Sequence, residues 1–400
     1  MTFPMTFPMA FPMAFHIAFK SILSVVLVLS FTAEDSSWAW DQHTKLSRLC
    51  FESYKNLKPA PFESIEKVLP VLRIGSASTP LHLAHELSQA LVVHEEKIQW
   101  DWKSERAVEV LSYSAFEPDF GMDQNHNLGP DQKFMGGYTG SSSQGVRHMY
   151  YLAWDWKSPL ALFHYPLHEM GFAKERALLY FNLALQAKKS GHWFWAYRFL
   201  GWGLHYIQDL SQPYHVSQFG SFKLLPLRVL FTKGWNAFIQ ETTRIVGNFH
   251  IAFEHYADFK IDQKENSFLK HVFTSPQPSP SLKLNHGISV EEGLMLLIKT
   301  SNQMASSLVR AQIASMGEVL FNPTYHLSLN EDQAKTLDYA AFDCVGFALD
   351  PVAFASRKSS GCTSSGDKSL PLGFQKQMLE ALSNMVIASR WYLDQFLSFY

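Results

Sequence analysis

Histidine and aspartate side chains are concentrated between Leu204 and His215, a stretch that reads LHYIQDLSQPYH. His205 and Asp209 are four residues apart, so on a helix their side chains share one face and lie close enough to bind one cation. Pro213 cannot continue such a helix and turns the chain, which allows His215 to return toward the same pocket. The stretch therefore predicts a place where three nitrogen and oxygen donors converge.

A second pair with the same spacing, His250 and Glu254, lies in the apolar segment NFHIAFE. Imidazole and carboxylate are the ligands expected of zinc in a catalytic site, where one position stays open for water or substrate. One such pair alone is more often a surface hydrogen bond, and His82 with Glu86 shows the spacing without further support. The proline-turned third donor and the repetition of the pair favour a metal site.

The stretch from Glu117 to Tyr151 differs in character from its surroundings, because it is rich in glycine, serine, aspartate and asparagine. Such a composition is incompatible with one regular helix and predicts a long ordered loop. In a compact domain, long loops of this kind usually carry function.

The motif LHYIQDLSQPYH resembles the signature of the zinc-dependent phospholipases C and of the fungal and plant single-strand nucleases that share their fold. The likeness extends through Ala177–Gly203 and Glu117–Tyr151, and covers roughly 40–255 of the chain. The combination of EPD, GMDQ, MGG, TG and SQG-RHMYY is most similar to a bacterial phospholipase C subgroup and has no counterpart in the nucleases. The resemblance implies an all-α fold, one large helical domain with long loops.

The resemblance also implies a set of zinc ligands: Trp40, His43, Asp119, His148, His205, Asp209, His215, His250 and Glu254. Asp119, His148, His205 and Asp209 would hold one ion, Trp40, His43 and Asp209 a second, and His215, His250 and Glu254 a third. Asp209 would bridge the first two ions. Asp119, or Asp123 in its place, would orient or deprotonate the attacking water.

Three closely spaced cations suit hydrolysis of a phosphodiester, because they neutralise its anionic oxygens and acidify a bound water. The favoured function is a phospholipase C that cleaves the glycerol-side phosphodiester of a phosphatidylcholine-like lipid at a membrane surface. A single-strand nuclease or 3′-nucleotidase is the alternative, and nucleic acid would be a partner only in that case. A non-catalytic metal-binding protein is a third possibility.

Residues 1–39 have the features of a cleaved signal peptide. Ser21–Phe31 is a short apolar run after Lys20, and Ser37-Trp38-Ala39 places small residues at the two positions that a signal peptidase reads. Cleavage after Ala39 would free the α-amino group of Trp40 for zinc, with Trp38 as the rival first residue. The MTFP repeats make residues 1–12 a candidate misassigned extension. We expect a secreted or periplasmic protein, the alternative being an uncleaved anchor.

Composition narrows the remaining choices. The 400 residues are 47% hydrophobic, enough for a large core, and 34 Lys plus Arg against 36 Asp plus Glu give no basic excess for binding duplex nucleic acid over the whole surface. Of the three cysteines, Cys344 and Cys362 could pair in an oxidising compartment and leave Cys50 free. No β-sandwich module is visible, so residues 40–400 are expected to form one α-helical domain.

Several other segments should position the donors. Trp193–Trp202 should be mostly core, with Gly201 permitting close helix packing, and Val290–Met316 and Phe374–Phe399 should be helices. Phe219–Phe238 is an insertion relative to the family. Its mixture of apolar and basic residues suits a membrane-surface segment and suits a buried cover equally well.

Overall fold

The computed structural model describes residues 43–73, 106–119, 145–152, 169–217, 220–262, 267–322 and 370–399. Helices make up 74% of the structure and strands 2%, which confirms a mostly helical protein. Within these ranges, no helix combines the length and the apolar character that crossing a bilayer requires. The predicted signal peptide, Trp40, Asp123, and the cysteines Cys344 and Cys362 lie outside the described residues.

The described helices are numbered in chain order. In order they are α1 His43–Phe51, α2 Ile65–Val68, α3 Ala107–Ser114, α4 Gly145–His148, α5 Ala173–Lys189, α6 Trp193–Ser211, α7 Pro213–Val216, α8 Leu227–Lys233, α9 Trp235–Asp262, α10 Ser267–Thr274, α11 Val290–Leu320 and α12 Leu370–Ser398. Short 3-10 turns at Leu69–Val71 and Phe222–Leu224 complete the helical part.

Helix α6 is the centre of the described structure. Every residue from Phe194 to Ser211 is buried, as expected for a helix that is largely apolar on all sides. Helices α3, α5, α11 and α12 pack around it. The prediction that Trp193–Trp202 is mostly core is therefore confirmed. The polar residues in the last turns of α6 consequently face the interior of the protein and have no direct access to bulk water.

Two glycines set the position of α6. Gly191 adopts a φ of +84° between α5 and α6, a conformation that glycine tolerates best, and this turn joins the two helices. Gly201 faces α3, where an added Cβ would lie 2.7 Å from the Ser114 Cβ and 2.8 Å from the Leu111 carbonyl oxygen. The close packing predicted at Gly201 is confirmed, and it brings the C-terminal end of α3 against the helix that carries His205.

The two long C-terminal helices, α11 and α12, pack against each other and against α6. They confirm the helices predicted at Val290–Met316 and Phe374–Phe399, with ends shifted by a few residues. Gln312 of α11 donates a hydrogen bond to the Phe249 carbonyl oxygen at 2.7 Å and accepts one from the Tyr214 hydroxyl at 2.6 Å. Gln312 therefore connects α7 and α9.

The small amount of strand structure also has a positional role. Tyr150–Tyr151 pairs antiparallel with Met170–Gly171, with Tyr150 opposite Gly171. The Ala173 amide, at the start of α5, donates to the Met149 carbonyl oxygen at 3.3 Å. This pairing holds α4, which ends at His148, against the α5 side of the core.

Candidate metal centre

The last turns of α6 carry the first pair of donors. His205 Nε2 lies 3.2 Å from Asp209 Oδ2, so the four-residue spacing places both side chains on one helix face as predicted. Both residues are fully buried. Buried charged and polar groups are costly unless they are paired or bind an ion, so this face requires partners.

Other parts of the chain supply those partners. His148, at the end of α4, places Nδ1 2.8 Å from His205 Nε2 and 3.0 Å from Asp209 Oδ2. Asp119, just after α3, places Oδ1 3.6 Å from His148 Nδ1 and 3.7 Å from His205 Nε2. The four residues expected to hold one ion are therefore adjacent.

His43, in the first turn of α1, forms a second group. Its Nε2 lies 3.6 Å from Asp119 Oδ2 and 3.7 Å from Asp209 Oδ1. His43, Asp119 and His205 form one set of donors that could hold an ion here. The sequence-based grouping named Asp209 and Trp40 beside His43. The structure adds the second oxygen of Asp119 to that position, while Trp40 lies outside the described residues.

The third group forms where α7 meets α9. Helix α6 ends before Pro213, and Gln212 caps α7 by accepting a hydrogen bond from the Tyr214 amide. The turn predicted at Pro213 is thus present, and it directs His215 toward α9. His215 Nε2 lies 2.9 Å from His250 Nε2 and 3.5 Å from Glu254 Oε1, while His250 Nε2 and Glu254 Oε1 are 2.8 Å apart.

The first two groups share donors, and the third lies beside them. Asp119 directs one oxygen toward His43 and the other toward His148 and His205. Asp209 also faces two ways, because its Oδ1 lies 3.7 Å from His43 Nε2 while its Oδ2 lies 3.0 Å from His148 Nδ1. These two carboxylates are therefore placed to be shared between two neighbouring cations, and His215 Nδ1, 3.7 Å from Asp209 Oδ1, places the third group next to them.

Burial and neighbouring charges set the ionisation of these groups. Burial, reinforced by the neighbouring His205, lowers the pKa of His43 to about 3, so its imidazole is neutral at neutral pH. Burial raises the pKa of Glu254, but the His250 charge and hydrogen bonds from His215 and His250 outweigh it and bring the pKa to about 2. Burial likewise opposes ionisation of Asp209, yet the neighbouring His205 and His148 hold its pKa well below the usual range. Burial opposes protonation of His215, but its hydrogen bond to Glu254 and the Asp209 charge outweigh burial and raise its pKa. Metal ions bind neutral imidazoles and ionised carboxylates, so a cation in the third group would displace a proton from His215.

The donor separations suit metal ions. Ligand atoms around a tetrahedral ion with bonds of ~2.0–2.1 Å lie about 3.3 Å apart, and the separations given above lie on both sides of this value, from 2.8 to 3.7 Å. His43 Nε2 and Asp209 Oδ1 are buried and have no hydrogen-bond partner among the described residues. A cation between these two atoms would satisfy both.

The remaining imidazole nitrogens are held by a surrounding layer of polar groups. His43 Nδ1 lies 2.6 Å from Gln208 Oε1, and Gln208 in turn donates to the Ser47 hydroxyl at 2.9 Å. His205 Nδ1 lies 2.8 Å from the Ala115 carbonyl oxygen, and His215 Nδ1 lies 2.8 Å from the His148 carbonyl oxygen. An Nδ1–H donated to each oxygen leaves the Nε2 lone pair directed into the cluster.

A buried ion pair fixes the chain beside Asp119. Arg198 donates two hydrogen bonds of 3.1 Å to the two carboxylate oxygens of Glu117, and the Trp202 indole N–H also donates to Glu117. The Arg198 guanidinium lies over the rings of Trp195 and Trp202, at 4.6 and 5.5 Å from their centroids. Two residues before Asp119, the backbone is therefore attached to α6.

Sequence reasoning did not identify the supporting residues Gln208, Gln212, Glu117, Arg198 and Gln312. A local signal existed for the two glutamines nearest the motif, since Gln208 lies between His205 and Asp209 and Gln212 precedes Pro213. Gln212 donates to Glu254 Oε1 at 3.0 Å, which no spacing rule predicts because α9 is distant in sequence. Glu117 is part of the EPD motif, but its partner Arg198 is 81 residues away.

The structure thus brings together His43, Asp119, His148, His205, Asp209, His215, His250 and Glu254. All are buried, and the most exposed of them, His250, is 6% exposed. Comparisons with protein-family models, with curated proteins and with solved structures found no match to this chain. The case for a function therefore depends on the geometry of the cluster and on the motif resemblance.

Proposed function

We propose that this protein is a zinc-dependent phosphodiester hydrolase, and that it acts as a phospholipase C. The observation that carries the proposal is the presence of three adjacent buried donor groups, the first two of which share the carboxylates of Asp119 and Asp209. A single structural zinc needs four donors in a closed shell. An extended set of shared donors is instead suited to several neighbouring cations.

Such an arrangement suits one substrate chemistry in particular. A phosphodiester is an anion, and its hydrolysis builds further negative charge on the entering and leaving oxygens. Bound divalent cations would supply the positive charge and the acidified water that this reaction needs. Zinc is the metal of choice because the donors are imidazoles and carboxylates at distances that fit tetrahedral coordination.

The side chains of the cluster would contribute mainly by holding the metal ions in fixed positions. His43, His205 and His215 present Nε2 because their Nδ1 atoms are engaged elsewhere. Asp119, the proposed ligand and candidate base, is 2% exposed and directs both oxygens into the cluster. Its carboxylate would therefore keep the same position throughout the reaction. The buried setting excludes bulk water, which strengthens every charge interaction inside it.

Phospholipase C is preferred over single-strand nuclease on the pattern of the Glu117–Tyr151 stretch and on the exposed apolar surface of the insertion after His215. The nuclease alternative shares the same ligands and has only the spacing of Trp38 to His43 in its favour. Since the cluster itself suits either phosphodiester, the substrate has to be decided by assay.

The test is to offer the purified, zinc-loaded protein phosphatidylcholine vesicles and single-stranded DNA in parallel assays. We expect release of phosphocholine with the DNA left intact. Loss of activity in His205→Ala, with activity retained in the matched variant His286→Ala at an exposed histidine, would tie turnover to the cluster. Nucleotide release without phosphocholine would assign the protein to the nuclease class, and no hydrolysis of either substrate would overturn the proposal.

A further inference from the structure

The segment that links His215 to the α9 helix has an unusual charge pattern. Between Asp209 and Glu241 the chain contains no acidic residue, whereas Lys223, Arg228 and Lys233 all fall inside this interval. The three basic side chains are exposed. The Lys233 charge acts on Glu241, where it adds to the larger effect of Arg244 in lowering the Glu241 pKa. Glu241, the first acid that follows, is engaged by Arg244 at 2.7 Å.

The inner side of this segment is anchored in the core. Leu224 and Leu225 are buried, at 0% and 6% exposure, and Phe238 at the start of α9 is buried as well. Gly220 packs so closely against α11 that an added Cβ would lie 2.5 Å from the Ala305 carbonyl oxygen. The segment is thus fixed to the protein by its own apolar residues, so the expectation of a buried cover is met on this side.

The outer side is apolar without being covered. Phe231 is 83% exposed and Leu227 is 37% exposed, and because they are four residues apart on α8 they lie on one face of that helix. No residue of α8 is buried. We call Lys223, Leu227, Arg228, Phe231 and Lys233 the α8 patch. Exposed apolar side chains that share one face and are rimmed by polar residues are typical of interaction sites, whereas single exposed apolar residues are common on any surface.

We infer that the α8 patch is a docking surface for a lipid bilayer that contains anionic phospholipid. Phenylalanine and leucine can enter the region between headgroups and acyl chains, while lysine and arginine at the rim are attracted to anionic headgroups. The absence of acids through the whole interval is the charge complementarity that such a surface needs. A protein partner or a second copy of the chain would require no such one-sided charge.

The patch is connected directly to the metal centre. It lies between α7, which carries His215, and α9, which carries His250 and Glu254, and α8 packs against α9. Docking through α8 would therefore act on the helices that hold the third donor group. The inference rests on the proposed function, because a phospholipid hydrolase has to meet its substrate at a membrane surface.

The test is co-sedimentation of the protein with vesicles of phosphatidylglycerol and phosphatidylcholine, compared with vesicles of phosphatidylcholine alone. We expect stronger binding to the anionic vesicles and weaker binding at high salt. The triple variant Lys223→Gln, Arg228→Gln, Lys233→Gln should bind about a hundredfold more weakly, at about fivefold per charge removed. Phe231→Ala should bind both kinds of vesicle about tenfold more weakly.

The matched control is Phe62→Ala, because Phe62 is also exposed, at 55%, but Glu63 and Glu66 follow it, so the charge around it is not one-sided. This variant should sediment like the wild type. Equal binding of Phe231→Ala and wild type, or no vesicle binding by the wild type, would overturn the inference. So would a wild-type dimer that Phe231→Ala converts to a monomer, since the patch would then face a second copy.

Hydrolysis of a short-chain phosphatidylcholine below its micellar concentration separates this inference from the proposed function. The α8 variants should hydrolyse the dissolved lipid at the wild-type rate. Hydrolysis without any vesicle binding rejects the docking surface and leaves the phospholipase intact. Vesicle binding without hydrolysis of lipid rejects the phospholipase and leaves the docking surface intact.

Discussion

At the scale of single residues, the donors differ in how many neighbours depend on them. Asp209 directs one oxygen toward His43 and the other toward His148, so it can contact two cations, whereas His250 presents a single nitrogen, Nε2, to the cluster. Substitution of a shared donor should therefore remove more metal than substitution of an unshared one. The metal content of a variant distinguishes the two kinds of donor, whereas activity could be lost in both cases.

His250→Ala should lose about one zinc per chain, and Asp209→Ala more than one, because one Asp209 oxygen faces His43 and the other faces His148. Mass spectrometry of the metal content after dialysis measures both values. His286→Ala removes an exposed histidine and should keep the wild-type content. An equal and full zinc content in all three variants would show that the side chains of the cluster are not ligands.

The residues that hydrogen-bond to the donor side chains should also affect zinc affinity. Gln208→Leu removes the acceptor at 2.6 Å from His43 Nδ1, so the His43 ring is no longer held with Nε2 toward Asp119 and Asp209. We expect zinc affinity to fall about 10–100-fold, measured by competition with a chelator. Gln240→Leu, at an exposed glutamine on α9, is the matched control. Indistinguishable affinities in the two variants would argue against a positioning role for Gln208.

At the scale of elements, the cluster depends on how α3 and α6 meet. Gly201→Ala would place a methyl group 2.7 Å from the Ser114 Cβ and force the two helices apart, at a cost of about 1–3 kcal/mol. Gly373→Ala, in the helix α12 with nothing within 4 Å of the added Cβ, should instead stabilise by up to about 1 kcal/mol. Chemical denaturation of both variants gives the comparison. The same sign of change in both would contradict the proposed close packing at Gly201.

The buried ion pair between Glu117 and Arg198 also joins the segment after α3 to α6. Glu117→Ala removes the carboxylate that accepts two hydrogen bonds from the buried Arg198 guanidinium, so we expect a loss of about 3–5 kcal/mol in the free energy of unfolding. Arg48→Ala breaks a partly exposed pair with Glu109 and should cost only ~0–1 kcal/mol. Similar losses in urea titrations of the two variants would rule out a special structural role for Glu117.

The sequence predicts those features that depend on residues close together in the chain. Helical spacing was sufficient to pair His205 with Asp209 and His250 with Glu254, and Pro213 was sufficient to predict the turn before His215. Joining His43, Asp119 and His148 to them required the family resemblance, since helix packing rather than spacing brings these residues together. Contacts such as Gln212 with Glu254 depend on the mutual placement of α7 and α9, which no local pattern records.

At the scale of the whole molecule, the donors come from segments spread over most of the described chain, from α1 to α9. A cation that binds only the folded arrangement stabilises it by mass action. Removal of zinc with a chelator should therefore lower the melting temperature, and zinc added back should restore it. The His250→Ala variant should show a smaller chelator effect than the wild type, because it has fewer sites to lose. An unchanged melting temperature on chelation would contradict this coupling.

The most direct test of the central claim is the zinc-to-protein ratio of the purified chain, measured after dialysis against metal-free buffer. The arrangement of His43, Asp119, His148, His205, Asp209, His215, His250 and Glu254 predicts about three zinc ions per chain, one for each donor group. A folded, helical protein that retains less than one zinc per chain would contradict the account.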